Sequence, residues 1–286
     1  MMDLPPRRRL LRRSKPWLIS TLATLGLATV PFGVASAQGN DANSHDTIVK
    51  PTIVLVHGDW ADGSSWNAVT SRLIDRGYRV VVPPNPLRGP TEDSAYLRSY
   101  LESIQGPIVL VAHSYGGFVI TNAATGLTNV KALVYIDAFI PDEGHALLGL
   151  VPGSCLSADP AKVFNAVPVS GGADFYLQVA PDPPYAGFAD CFANGVDRDT
   201  TALLAATQRP AFSNQLSEVS GPPAWKTIPS WSLTGTEDHV VPFDQQEIMS
   251  KRAHATIETV QAGHLSLVSR PEAVTAIIEA AVAATS

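Results

Sequence analysis

The sequence predicts an α/β chain with a mostly parallel sheet of about six strands, flanked by helices and interrupted by an inserted, mainly helical cap. Three observations point there. Short runs that are apolar throughout recur along the chain, as strands buried on both faces do. Helix-spaced patterns lie between them, which is the βαβα rhythm of a sheet covered on both sides. That rhythm stops over residues 142–226 and then resumes, and a stretch of this length is too long for a plain loop.

Composition agrees with a single large core. The 286 residues are 45% hydrophobic and 16% charged, which excludes a disordered polymer, and the 21 glycines follow no three-residue period, which excludes collagen. One α/β core can reach ~250 residues, so one domain with an insertion fits the length better than two folds. The formal charge of −6 argues against a nucleic-acid partner, whose phosphates need a basic face.

The first element is a processing segment. Arg7, Arg8, Arg9, Arg12, Arg13 and Lys15 precede an apolar stretch from Trp17 to Val34, followed by Ala35-Ser36-Ala37. A basic region, an apolar region and a small-residue exit make a signal peptide over residues 1–37, cut between Ala37 and Gln38. The expected location is secreted or periplasmic, with no stable membrane association after cleavage. Cleavage would remove six basic residues and Asp3, so the formal charge would fall from −6 to −11. Residues 38–51 are polar and read as a flexible leader.

The strands then follow in order: 53–56, 79–82, 108–111 and 132–136, with helical patterns near 64–76, 92–104 and 115–126 between them. Residues 52–141 and 227–286 form the core, and 142–226 the cap. The cap holds both cysteines, Cys155 and Cys191, and a helical pattern near 199–209. An exported chain meets an oxidising compartment in which the two could pair, the alternative being two buried thiols. After the cap come strands at 230–233 and 256–260, a helix near 242–252, and a last helix opened by Pro271, a residue well tolerated in a first turn.

Chemistry concentrates at strand exits. Directly after the third strand stands Ala112-His113-Ser114-Tyr115-Gly116-Gly117, then a helix. Small residues around Ser114 permit a sharp strand-to-helix bend that lifts its hydroxyl above the sheet edge, where a helix N-terminus aims its amides. A serine hydroxyl needs a base, and the base needs an orienting group. Both should come from the carboxyl ends of other strands. His264 and Asp238 follow the last two strands and fit those roles. His145 remains a rival base, and Asp137 and Glu237 rival acids. At the exit of the first strand, the backbone N–H of Asp59 pairs with that of Tyr115 as a candidate oxyanion hole. Trp60, Phe139 and His145 are candidate pocket residues, as are Phe175, Tyr176 and Phe188. This chemistry needs no cofactor, and no Cys/His spacing of a zinc site is present.

Several further segments are familiar together: Val56-His57-Gly58-Asp59-Trp60, Asn85-Pro86-Leu87-Arg88-Gly89, Pro141-Asp142-Glu143-Gly144-His145, Gln208-Arg209-Pro210 and Ile228-Pro229-Ser230-Trp231. With Ala112 to Gly117, they make the chain from Thr52 onward resemble α/β-hydrolase superfamily serine esterases, in particular the bacterial branch similar to plant methylesterases and hydroxynitrile lyases. The resemblance implies a triad of Ser114, Asp238 and His264, a cap over an apolar pocket, and a small-molecule carboxylic ester as substrate. A cofactor-free haloperoxidase or lyase, or a silent ligand-binding homologue, are the alternatives on such a scaffold. Two positions depart from the family. Leu265 follows His264 where the lyases carry a Lys, and Asp59 stands where a small neutral residue is expected. A carboxylate beside a developing oxyanion opposes it unless turned to solvent or paired.

Overall fold

A computed structural model describes residues 50–157, 159–179 and 187–285. The signal-peptide and cleavage expectations, and nearly all of the leader, lie outside these residues. The described chain from 50 onward falls in one compact unit.

Six strands form the main sheet: β1 (Thr52–Val56), β2 (Arg79–Val81), β3 (Ile108–His113), β4 (Val130–Ile136), β8 (Ser230–Gly235) and β9 (Thr256–Val260). Their order is β2-β1-β3-β4-β8-β9, and every pairing is parallel. The central strands β1 and β3 are buried along their whole length, which is why their sequences are apolar without alternation.

Chain direction reverses after β2. The first crossover moves outward from β1, and the next returns past β1 to β3. Right-handed crossovers therefore place α1 (Asn67–Asp75) and α2 (Pro90–Glu102) on opposite faces. α3 (Tyr115–Ala123) packs beside α2, and the last helix α8 (Pro271–Thr285) beside α1. Val274, Ile277, Ile278 and Ala281 of α8 recur at helical spacing and are all fully buried. The reversal also opens a crevice between the carboxyl ends of β1 and β3, the place where open α/β sheets bind ligands.

The insertion between β4 and β8 adds a small sheet to the helical segments expected of it. It contains α4 (Pro160–Val163) and α5 (Arg198–Thr207), but also a three-stranded antiparallel sheet of β5 (Phe164–Val169), β6 (Gly172–Leu177) and β7 (Ala211–Phe212). Gly171, at φ +83°, turns β5 into β6. The turn signal is legible in Val169-Ser170-Gly171-Gly172, a glycine-bearing loop between two short runs, which is a hairpin pattern. Cys155 and Cys191 are joined in a disulfide within the insertion, with Cα atoms 5.8 Å apart. Beyond β8, α6 (Phe243–Arg252) leads to β9, and the short α7 (Ser266–Ser269) precedes α8.

Candidate active site

The carboxyl ends of five parallel strands deliver the polar residues of the site: Asp59 after β1, Ser114 after β3, Asp137 after β4, Asp238 after β8 and His264 after β9. Ser114 sits at φ +53°, a region that costs a non-glycine residue roughly 1–3 kcal/mol, and the bend is held from both sides. Its N–H donates to Ile136 O, and its carbonyl accepts from Gly117 N and Phe139 N. No side chain fits at two of its neighbours. A Cβ on Gly117 would lie 2.3 Å from Phe139 O, and one on Gly58 would lie 2.6 Å from Ser114 Cβ.

Ser114, His264 and Asp238 form one hydrogen-bonded line. Ser114 Oγ lies 2.8 Å from His264 Nε2, and His264 Nδ1 lies 2.8 Å from Asp238 Oδ2. All three are buried. Burial pushes the His264 pKa down to about 3, which keeps the imidazole neutral and able to accept a proton. Burial pushes Asp238 upward, while donors oppose it. Val240 N and Val241 N donate to Oδ1 at 2.7 and 2.9 Å, and Gln246 Nε2 donates to Oδ2 at 2.8 Å. Those protein partners are donors, so the anion satisfies them and a protonated acid would not.

The rival residues are placed elsewhere. Asp137 is a brace: its Oδ1 accepts from Gly235 N at 2.8 Å, and its Oδ2 from both the N–H and the hydroxyl of Ser266. It thereby ties the exit of β8 to the loop carrying His264. The Glu237 carboxylate is exposed and accepts from Gln261. His145 does not line the cavity, contrary to expectation; its Nδ1 faces the Asp142 N–H at 3.4 Å, and its backbone pairs with Ser220 and Asp142. The turn at Gly144-His145 keeps that side chain against its own loop. His113 packs against the His264 ring, with centroids 4.6 Å apart, and its Nε2 meets His264 O at 2.8 Å.

The oxyanion candidates come from two strand exits in close approach, where a Cβ on Gly58 would lie 2.6 Å from Ser114 Cβ and 3.1 Å from Tyr115 N. Tyr115 is the first residue of α3, so its N–H precedes the helix's own hydrogen-bond ladder. The Asp59 N–H donates to no backbone carbonyl among the described residues. The turn between them is fixed by His57, whose Nε2 accepts from Asn85 N and whose Nδ1–H therefore donates to Gly58 O at 2.9 Å. Burial lowers the pKa of His57 to about 4, consistent with this neutral role. The Tyr115 hydroxyl donates to Asp93 Oδ2 at 2.7 Å.

Ser114 opens into a cavity of about 440 Å³ between the core and the insertion. Trp60, Phe139 and Phe175 line it as expected, joined by Leu147, Phe164 and Phe212. Tyr176 and Phe188 do not line it, and Phe188 is instead buried against Phe192 with ring centroids 5.1 Å apart. Trp60 Nε1 donates to Phe175 O at 2.9 Å, so the same residue walls the cavity and fastens β6 to the core. Gln208 braces the insertion internally by a pair of bonds to the Leu177 backbone, and Arg209 fastens it to the core by donating to Asn85 O.

Asp59 meets neither condition set by the sequence. Its side chain is turned away from solvent, at 4% exposure, and has no cationic partner among the described residues. Burial instead raises its pKa well above the usual carboxylate range, against a smaller opposing pull from the Gln215 amide, and so favours the neutral acid. Gln215 and Gln246 were missed by sequence reasoning. Each is a glutamine that becomes buried only in the fold, and no motif marks either one.

Three comparisons with known proteins bear on this geometry. Residues 53–277 match the model of the alpha/beta hydrolase family. The chain is 33% identical over 112 residues to a carbendazim hydrolyzing esterase of Nocardioides sp. (strain SG-4G), covering 35% of this chain and 46% of that protein. It is 27% identical over 110 residues to an alpha-hydroxynitrile lyase of Arabidopsis thaliana, covering 34% of this chain and 43% of that protein. Each match thus spans less than half the length of the relative. The crystal structure of the methylesterase MES16 from Arabidopsis superposes with a TM-score of 0.65 at 16% identity, covering 82% of this chain and 99% of that one, a likeness of fold.

Proposed function

The chain belongs to the alpha/beta hydrolase family, and from that premise we propose that it is an exported serine hydrolase that cleaves a carboxylic ester of a small, largely apolar substrate. The observation that carries the proposal is the buried line from Ser114 Oγ through His264 to Asp238, both links at 2.8 Å, facing an apolar cavity.

In the proposed reaction His264 Nε2 takes the Ser114 proton as Oγ attacks the ester carbonyl, and Asp238 stabilises the imidazolium that forms. Negative charge on the carbonyl oxygen is met by the Asp59 and Tyr115 N–H groups. The tetrahedral intermediate collapses as His264 returns the proton to the leaving alcohol. A water, deprotonated by the same imidazole, then attacks the acyl group on Ser114, and His264 returns that proton to Oγ as the acyl–Oγ bond breaks and the acid leaves.

Two features support the finer parts of this reading. A cavity of about 440 Å³ walled by Trp60, Phe139 and Phe164 favours a small apolar acyl or alcohol group. The Cys155–Cys191 bond suits an oxidising compartment, in keeping with the basic and apolar segment read as a signal peptide. Labelling with a fluorophosphonate tests the chemistry. Wild type should be labelled and Ser114→Ala should not; a folded wild type that resists labelling refutes the serine mechanism. Hydrolysis of p-nitrophenyl esters of graded acyl length then reads the size of the pocket.

A further inference from the structure

Within an apolar cavity, two polar atoms stand without partners. Asp59 Oδ1 and Gln215 Nε2 are both buried, and neither completes a hydrogen bond among the described residues. Their side chains are nine-tenths or more buried, Asp59 being 4% and Gln215 1% exposed. Both residues line the same cavity as Ser114, among Trp60, Phe139 and Phe164. Asp59 is set there by the turn that follows β1, and Gln215 by a short helical turn in the insertion, Ser213–Leu216. The Gln215 side chain acts on Asp59 as a hydrogen-bonding neighbour that opposes the upward pull of burial, while Asp59 Oδ1 and Gln215 Nε2 themselves lack a partner at normal hydrogen-bond geometry. The two halves of the molecule thus each contribute one unsatisfied polar group to one cavity.

Buried polar atoms are nearly always satisfied, and an orphan calls for a reason. Core packing does not supply one here, because both residues line the cavity rather than the close-packed interior. A ligand does supply one. We propose that Asp59 and Gln215 form a polar subsite of the substrate pocket, which selects esters carrying a neutral hydroxyl in their acyl or alcohol part. The hydroxyl would accept from Gln215 Nε2 and donate to Asp59 Oδ1, completing both atoms with one group. A hydroxyl fits better than an ammonium because burial favours the uncharged form of Asp59, leaving little negative charge to meet a cation. The proposal deepens the esterase reading and rests on it, because the subsite is placed beside the Ser114 nucleophile.

Selectivity follows from the asymmetry of hydrogen bonding. A pocket built to bond a substrate hydroxyl rejects the analogue lacking it, because the pocket's own groups are then left unpaired. The test uses matched pairs: methyl esters of hydroxy acids with the hydroxyl at carbons 3 to 8, and acetates of diols of graded length. Each is set beside the analogue with methyl in place of the hydroxyl, with hydrolysis followed by pH-stat. At one or more hydroxyl positions, kcat/KM should favour the hydroxy member at least tenfold. Asp59→Ala and Gln215→Leu, each checked by thermal melting, should each bring that ratio to within about threefold of one. Should one variant fail to fold, the other still decides the question.

A methyl analogue that matches or beats its hydroxy partner at every position overturns the subsite, as does a preference that survives in both variants. An amino analogue preferred over the hydroxyl overturns its neutral character. Binding of the same pairs to Ser114→Ala, read by ligand-detected NMR, separates this proposal from the reaction. A hydroxyl preference there, in a protein whose wild type resists fluorophosphonate, would uphold the subsite while the hydrolase reading failed; equal binding overturns the subsite whatever the activity.

Discussion

Replacing Asp238 by Asn probes the site most directly, because the surrounding donors dictate how the new amide must sit. With its oxygen at the Oδ1 position, the amide keeps the bonds from Val240 N and Val241 N, at 2.7 and 2.9 Å in the parent. Its NH₂ then replaces Oδ2, where it opposes one donor, Gln246 Nε2, and points at His264 Nδ1. The opposite orientation would set an NH₂ against two backbone N–H groups, so the first prevails. In that arrangement His264 Nδ1 must accept, its proton moves to Nε2, and Nε2 can no longer take the proton of Ser114. A wrong tautomer of this kind lowers kcat ~10⁴-fold. At 1.36 kcal/mol per factor of ten, that is about 5.5 kcal/mol of transition-state stabilisation. Turnover of a p-nitrophenyl ester measures it, with the fluorophosphonate labelling rate as a second readout and thermal melting as the control for folding. A fall of less than tenfold in a folded variant would mean that Asp238 does not set the His264 tautomer.

Other outcomes follow from the same geometry. Gly58→Ala places a methyl 2.6 Å from Ser114 Cβ and 2.9 Å from His113 O, so it should destabilise the fold by ~1–3 kcal/mol in urea melts and lower kcat; an unchanged kcat would mean the turn yields without moving the serine. Reducing the Cys155–Cys191 bond, whose partners are 36 residues apart, should cost about 4 kcal/mol and lower Tm by roughly 10 °C, and a Tm unaffected by reductant would contradict this. The raised pKa of Asp59 contributes stability present below its unfolded value of 3.8 and lost as pH rises through its folded value, so Asp59→Asn should gain stability relative to wild type between pH 4 and pH 8. A difference constant across that range would count against a buried acid. Burial holds His264 neutral down to about pH 3, so the acid limb of kcat/KM should lie below pH 6.5; a midpoint at 7 or above would show that the Asp238 anion outweighs burial.

Much of this protein is written along the chain. Strands buried on both faces must be largely apolar, so β1, β3 and β4 from Ala132 onward declare themselves, and the strand-to-helix bend at Ser114 requires small neighbours that are visible in the sequence. Strand exits likewise carry His264 and Asp238 at positions that local pattern can find. Tertiary structure alone decided the rest. Whether Asp137 or Asp238 faces His264 depends on which of two neighbouring strand ends points inward, and the answer came from Asp137 being engaged by Gly235 and Ser266. The hairpin of β5 and β6 escapes a reading by periodicity because β5 is largely exposed and β6 half-buried, so neither shows the alternation of a strand with one buried face. The state of Asp59 was beyond sequence reasoning for a more general reason. Ionisation is set by the dielectric around a group and the donors that reach it, and here these come from the apolar cavity wall and from Gln215, more than 150 residues away along the chain.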